Sequence, residues 1–154
     1  MLKRLLVKQR NYKTWGVRLD CRLATLFNLK IMETNEIKRS LRQFTGSENF
    51  HKHLFPGKSP IILSDGCDFV RTRMKAYWLF DAILSYQCEM VLKDVNFQVW
   101  ELRQLRKDLS WILTCRQDSD KKPLISQAIE FSDFPIEEIK IWVIDKVALL
   151  PSEY

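Results

Sequence analysis

The sequence predicts an α+β domain: an antiparallel meander of about five strands packed against one central buried helix, with an amphipathic helix ahead of them. Three observations predict it. Residues 75–87, Lys-Ala-Tyr-Trp-Leu-Phe-Asp-Ala-Ile-Leu-Ser-Tyr-Gln, form the most densely apolar stretch and contain neither Gly nor Pro. From Val95 onward the pattern changes from helical to alternating and β-branched. The breaks between the candidate strands are short, polar or Pro-containing, which suits antiparallel neighbours better than helical crossovers.

A chain of 154 residues buries a core without metal or disulfide staples, and one domain is the default. The net charge of +6 is unevenly placed. Residues 1–31 hold eight Lys or Arg against Asp20 alone, +7, whereas residues 32–154 hold 17 Lys or Arg and 18 Asp or Glu, −1. Any nucleic-acid partner therefore rests on residues 1–31, whose apolar residues keep no sustained period. Their apolar runs are too short for a membrane span or a secretory signal, though the basic composition partly matches a transit peptide. Met32 precedes a clean amphipathic helix, so the expected division is a basic extension over 1–31, disordered or not natively translated, and one α+β domain over 32–154. Cys21, Cys67, Cys88 and Cys115 show no metal or redox spacing and read as free thiols in a reducing compartment.

In chain order, Thr34 or Asn35 is placed to cap a helix whose Ile37, Leu41 and Phe44 face the core at i, i+4 and i+7, with Lys38, Arg39 and Arg42 in water. Pro56-Gly57 is a turn. Ile61–Leu63 reads as a short strand, and Ser64-Asp65-Gly66 as a hairpin turn returning through Asp68–Val70. On the central helix only a strip of Asp81 and Ser85 is polar. The meander strands are expected at Asn96–Leu105, Ser110–Arg116, Leu124–Phe131, Glu138–Ile144 and Val147–Leu150. Asp145-Lys146 makes the last two-residue loop, where Gly at the second position would fit a type I′ turn better. A helix over Asp133–Ile144 is the competing reading, disfavoured by the β-branched and aromatic run of Ile139, Ile141, Trp142 and Val143.

Separated motifs then carry a resemblance: Asn35-Glu-Ile-Lys38 with Gln43-Phe-Thr-Gly46, the Asp65-Gly66 step, Tyr77-Trp-Leu-Phe-Asp-Ala-Ile83 with Ser85-Tyr-Gln87, Phe97-Gln-Val-Trp100, Asp133-Phe-Pro135 and Leu149-Leu-Pro-Ser-Glu-Tyr154. Spread over residues 33–154, they resemble one uncharacterised bacterial family, domain of unknown function 6876, found also in mobile elements. Its members begin near the equivalent of Met32 and tend to have Gly after the Asp of the last hairpin, where this chain has Lys146. The resemblance implies no catalytic residue, cofactor or substrate.

Candidate chemistry is sparse. His51 and His53 are the only histidines; in an extended segment both rings point to one side, as metal ligands do, yet no third ligand lies at metal spacing. Asp81 and Ser85, one helical turn apart, would line a small polar pocket if loops closed over them. Phe134 and Ile136, beside Glu137 and Glu138, would make an apolar loop tip able to meet a protein. Four of the five tryptophans fall in predicted core elements. The expectation is a small, soluble, cytoplasmic, non-enzymatic module that binds protein, with no cofactor, metal or membrane contact. The alternatives are nucleic-acid binding through residues 1–31, or an enzyme with Asp81, Ser85 and His53 around a pocket.

Overall fold

The computed structural model of the chain describes residues 32–105 and 110–154, and the compact unit considered below is Thr34–Tyr154. The expectations for residues 1–31, including their start site and nucleic-acid binding, fall outside the described residues. Among the described residues there are three helices and seven strands: α1 (residues 32–41), β1 (Phe50–His53), β2 (Ile61–Ser64), α2 (Asp65–Arg73), α3 (Tyr77–Tyr86), β3 (Phe97–Gln104), β4 (Trp111–Arg116), β5 (Ile125–Ile129), β6 (Glu138–Ile144) and β7 (Val147–Leu149). Short 3₁₀ turns lie at Met90–Leu92 and Pro151–Glu153.

The five expected strands form, but the meander does not. All seven strands make one sheet in the order β1-β2-β7-β6-β3-β4-β5. Its pairs are antiparallel except β2 against β7, which run parallel. Strand β6 skips β5 and β4 to pair with β3. Composition explains the choice. Strand β3 buries Val99, Trp100 and Leu102 on its two faces, and β6 buries Ile139, Ile141 and Val143 while half-burying Trp142 and Ile144. A central position gives a strand's side chains neighbours on both sides and so shields more of each face from water. Strand β5 alternates exposed Ser126 and Ala128 with more buried neighbours, the pattern of an edge.

Ser64-Asp65-Gly66 is a helix start rather than a hairpin turn. Ser64 Oγ accepts the Cys67 N–H at 3.2 Å, capping α2, with Asp65 and Asp68 in its first turn and Arg71 and Arg73 in its last, as the helix dipole favours. Asp68–Val70 is therefore helical. Lys75, at φ 52°, breaks the chain between α2 and α3. Helix α1 already includes Thr34 and Asn35, so neither caps it, and the Thr34 hydroxyl donates to the Pro135 carbonyl at 3.1 Å.

The helices lie on one sheet face. Leu79, Phe80, Ile83 and Leu84 of α3 and Cys67 and Val70 of α2 join Ile61, Leu63, Trp100, Leu102, Leu113, Ile141 and Ala148 in the core, with Ile37, Leu41 and Phe44 packed against it. Each fully buried Leu, Ile or Phe contributes roughly 1.5–3 kcal/mol. Helix α3 is buried along one broad stripe rather than all round, since Tyr77 is 50% exposed.

The β6–β7 loop has both central residues left-handed, Asp145 at φ 47° and Lys146 at φ 69°, which makes it a type I′ turn. A non-glycine residue there costs about 1 kcal/mol. Lys146→Gly keeps the carbonyl that accepts the Ile62 N–H at 2.9 Å, and is expected to raise stability by roughly 0.5–1 kcal/mol in urea denaturation.

Candidate functional site

Both histidines sit on β1 with side chains toward the helices, because residues two apart on a strand share a face. Each meets an aspartate. His51 Nε2 lies 3.0 Å from Asp65 Oδ1, on the first residue of α2, and His53 Nε2 lies 2.9 Å from Asp81 Oδ1, on α3. Arg71 completes the group: its guanidinium pairs with Asp68, donates to the Lys52 carbonyl at 3.2 Å, faces His53 Nδ1 at 3.5 Å and lies over the Tyr77 ring. A guanidinium only donates, so His53 Nδ1 is the acceptor and Nε2 carries the proton toward Asp81.

Asp65 is an organising acceptor. Its Oδ2 takes the N–H groups of Glu48 and Asn49, each at 3.1 Å, and its own N–H donates to Ser47 Oγ at 2.8 Å. Hydrogen bonding from His51 first, then from the Asn49 backbone, holds its carboxyl below the ordinary value of 3.8. The sign follows from linkage: a depressed folded pKa adds stability above the unfolded value, and that stability fades as pH falls toward the folded one. The stability lost in Asp65→Asn is expected to persist above pH 3.8 and to shrink below it, as read by urea denaturation at stepped pH.

A second acceptor, not among the candidate site residues read from the sequence, is Glu153. Its Oε1 accepts from Ser47 Oγ at 2.7 Å and Gly66 N–H at 2.9 Å, and its Oε2 from Ser64 Oγ at 2.5 Å and Leu150 N–H at 2.8 Å. One carboxylate near the chain's last residue thus ties together the loop before β1, the cap of α2 and the end of β7. Gly66 makes room for it: a Cβ there would lie 2.7 Å from Glu153 Oε2 and 2.6 Å from Leu150 Cδ1. The only signal for it in the sequence is the Pro-Ser-Glu of the C-terminal motif.

Two clefts open among the described residues, and the first borders His51 and Asp65. One, of about 570 Å³, is lined by Phe44, Glu48, His51, Asp65, Asp68 and Phe69 among others. The other, of about 460 Å³, runs past Gln87, Cys88, Met90, Gln98 and Lys146. Gln87 and Gln98 exchange amide hydrogen bonds of 2.9 and 3.1 Å, and Trp100 Nε1 donates to Gln98 Oε1 at 2.9 Å.

The candidate residues read from the sequence separate. Asp81 is 39% exposed and bonded to His53, whereas Ser85 turns back to donate to its own helix at the Ala82 carbonyl, 2.7 Å away. Neither residue lines the two clefts. Phe134 and Ile136 are buried at 7% and 4% exposure, with Phe134 edge-on to Trp111 at 5.8 Å. They plug the core beneath the β5–β6 link and form no apolar tip, because that link must cross the ends of β4 and β3. Ser47 and Ser64 donate to Glu153. Burial pushes the Cys67 thiol well up and that of Cys115 up to about 12, so neither is a thiolate nucleophile. Among the described residues no three His, Cys, Asp or Glu groups converge to hold a metal, and no helix is long and apolar enough to cross a membrane.

The fold and this polar cluster define a mixed α+β domain with a seven-stranded, mostly antiparallel sheet, helices on one face, and His–Asp pairs that fasten an edge strand. The model of a family of unknown function, DUF6876, matches residues 35–154. The chain belongs to that family. No curated protein and no solved structure matches it.

Proposed function

We propose that the domain is a protein-binding module whose contact surface is the sheet face opposite the helices, centred on Trp142. One observation carries this reading. Phe97, Trp142 and Tyr154 form a continuous aromatic row on that face, with ring centroids 5.3 and 5.4 Å apart and edge-on geometry. By register, half-buried Ile62, Ile144, Val147 and Leu149 share the face with them. Tyr154 is 84% exposed. Around the row lie the Lys140–Glu138 and Arg116–Glu101 pairs. An apolar, aromatic centre with a charged rim is the composition of a protein interface. Ser47, Ser64 and Ser85 are hydrogen-bonded and Cys67 and Cys115 are buried, which favours binding over covalent catalysis through those groups.

The test is Trp142→Ser, whose side chain supports no part of the helix-side core. A partner recovered with the unaltered chain is expected to bind the variant at least 10-fold more weakly, since truncating a central aromatic costs upward of about 2 kcal/mol. Equal recovery by both proteins, at matched circular dichroism, would remove the reading.

A further inference from the structure

The outer edge of β5 points to a second interaction, independent of the Trp142 face. We infer that β5 pairs antiparallel with β5 of a second copy of this chain, about a two-fold axis at Gln127, joining the two sheets.

The argument begins with hydrogen-bond parity. Gln104 N–H donates to the Glu137 carbonyl and Asp145 N–H to the Asn96 carbonyl, so the even-numbered residues of β3 direct their backbone groups to β6. The odd-numbered ones then face β4, and their partners Ile112, Thr114 and Arg116 face back. Trp111, Leu113 and Cys115 therefore face β5, where they pair with Ile129, Gln127 and Ile125. Alternation leaves the N–H and C=O groups of Ser126 and Ala128 pointing away from the sheet. Strand β5 is last in the sheet order, and both residues are exposed.

Natural edges are guarded by Lys, Pro or a charge within the strand. Strand β5, Ile-Ser-Gln-Ala-Ile, has none. The charges nearest its two ends are opposite in sign: Lys121 and Lys122 just before it, with Asp118 and Asp120 further back in the β4–β5 turn, and Glu130 and Asp133 after it, all exposed. That arrangement selects occupant and direction. Antiparallel pairing of two copies sets each pair of lysines against the other's Glu130 and Asp133, whereas parallel pairing sets like against like. A two-fold at Gln127 also places Ser126 opposite Ala128 of the other copy, so that the outward backbone groups meet one another and form hydrogen bonds. The two Gln127 side chains become neighbours. Tyr86 donates to Gln127 Oε1 at 3.2 Å, which leaves that amide's N–H₂ to cross the axis. Phe131, 77% exposed, and Leu124, 36% exposed, flank the strand and approach Pro123 and Glu130 of the other copy.

A strand-to-strand contact is small, so association is sought by sedimentation equilibrium of the full chain from roughly 10 to 500 µM at low salt. The weight-average mass is expected to rise from 18.4 kDa toward twice that value. Ala128→Pro removes an outward N–H that β4 does not use, and is expected to hold the chain at the monomer mass with unchanged circular dichroism. Independently, the double reversals Lys121→Glu with Lys122→Glu, and Glu130→Lys with Asp133→Lys, should each weaken self-association at least 10-fold, while an equimolar mixture restores a dimer. A chain that stays monomeric throughout, a dimer indifferent to Ala128→Pro, or reversals that fail to rescue one another would overturn the inference. None of these results bears on Trp142, so the two surfaces stand or fall separately.

Discussion

Glu153→Gln is expected to destabilise the domain by about 2–4 kcal/mol, because a carboxylate accepting four hydrogen bonds is replaced by a group that accepts at only one of its two ends. Each oxygen of Glu153 serves one serine hydroxyl and one backbone N–H. A hydroxyl rotates and becomes an acceptor; a backbone N–H has no such freedom. Whichever way the amide turns, its N–H₂ faces either Gly66 N–H or Leu150 N–H, and that buried donor is left opposing another donor. Ser47→Ala and Ser64→Ala, by contrast, each remove one donor and should cost about 1 kcal/mol, somewhat more at Ser64 because it also caps α2. Urea denaturation of the three variants checks the ranking. A Gln variant within about 0.5 kcal/mol of the unaltered chain, a margin typical of surface substitutions, would mean the carboxylate is not holding these segments.

Trp100→Ala is expected to cost about 3–5 kcal/mol, a large fraction of the roughly 5–15 kcal/mol that holds a typical domain together. The side chain is 1% exposed at the centre of the sheet. Its ring meets Tyr86 of α3 with centroids 5.8 Å apart, and its Nε1 donates to Gln98. Truncation removes the packing that joins helix to sheet and opens a cavity. Trp100→Phe keeps most of the packing but leaves Gln98 Oε1 with one donor, Gln87, and should cost clearly less than Trp100→Ala. Thermal and urea unfolding of both variants, read by far-ultraviolet circular dichroism, separate packing from hydrogen bonding. Equal losses would place the value of the residue in its indole N–H.

The polar cluster shows where sequence reading stops. The i, i+2 spacing of His51 and His53 did put both rings on one side of a strand, as their two aspartate contacts require. What the rings meet was illegible, since Asp65 and Asp81 lie 14 and 28 positions away on helices whose docking is set by the core. Ser64-Asp65-Gly66 satisfies a hairpin turn and a helix N-terminus equally well as a string of residues. The choice fell to the helix because α2 buries Cys67 and Val70 under the sheet, while Glu153 fills the space a side chain at Gly66 would occupy. Phe134 and Ile136 beside two glutamates look like a surface tip until the link they belong to is carried over the core.

The sequence by itself determined the local structure: the α+β class, the apolar helix around Leu79–Leu84, the five C-terminal strands and the Asp145-Lys146 turn. These rest on periodicity and backbone preference, which act over a few residues. Tertiary structure alone decided that β6 lies beside β3, that β2 enters the sheet parallel to β7, and that Glu153 reaches Ser47, Ser64 and Gly66. Those outcomes depend on which strands carry apolar residues on both faces and on which buried donors need an acceptor. Both are properties of the packed whole, carried by contacts between residues far apart in the chain.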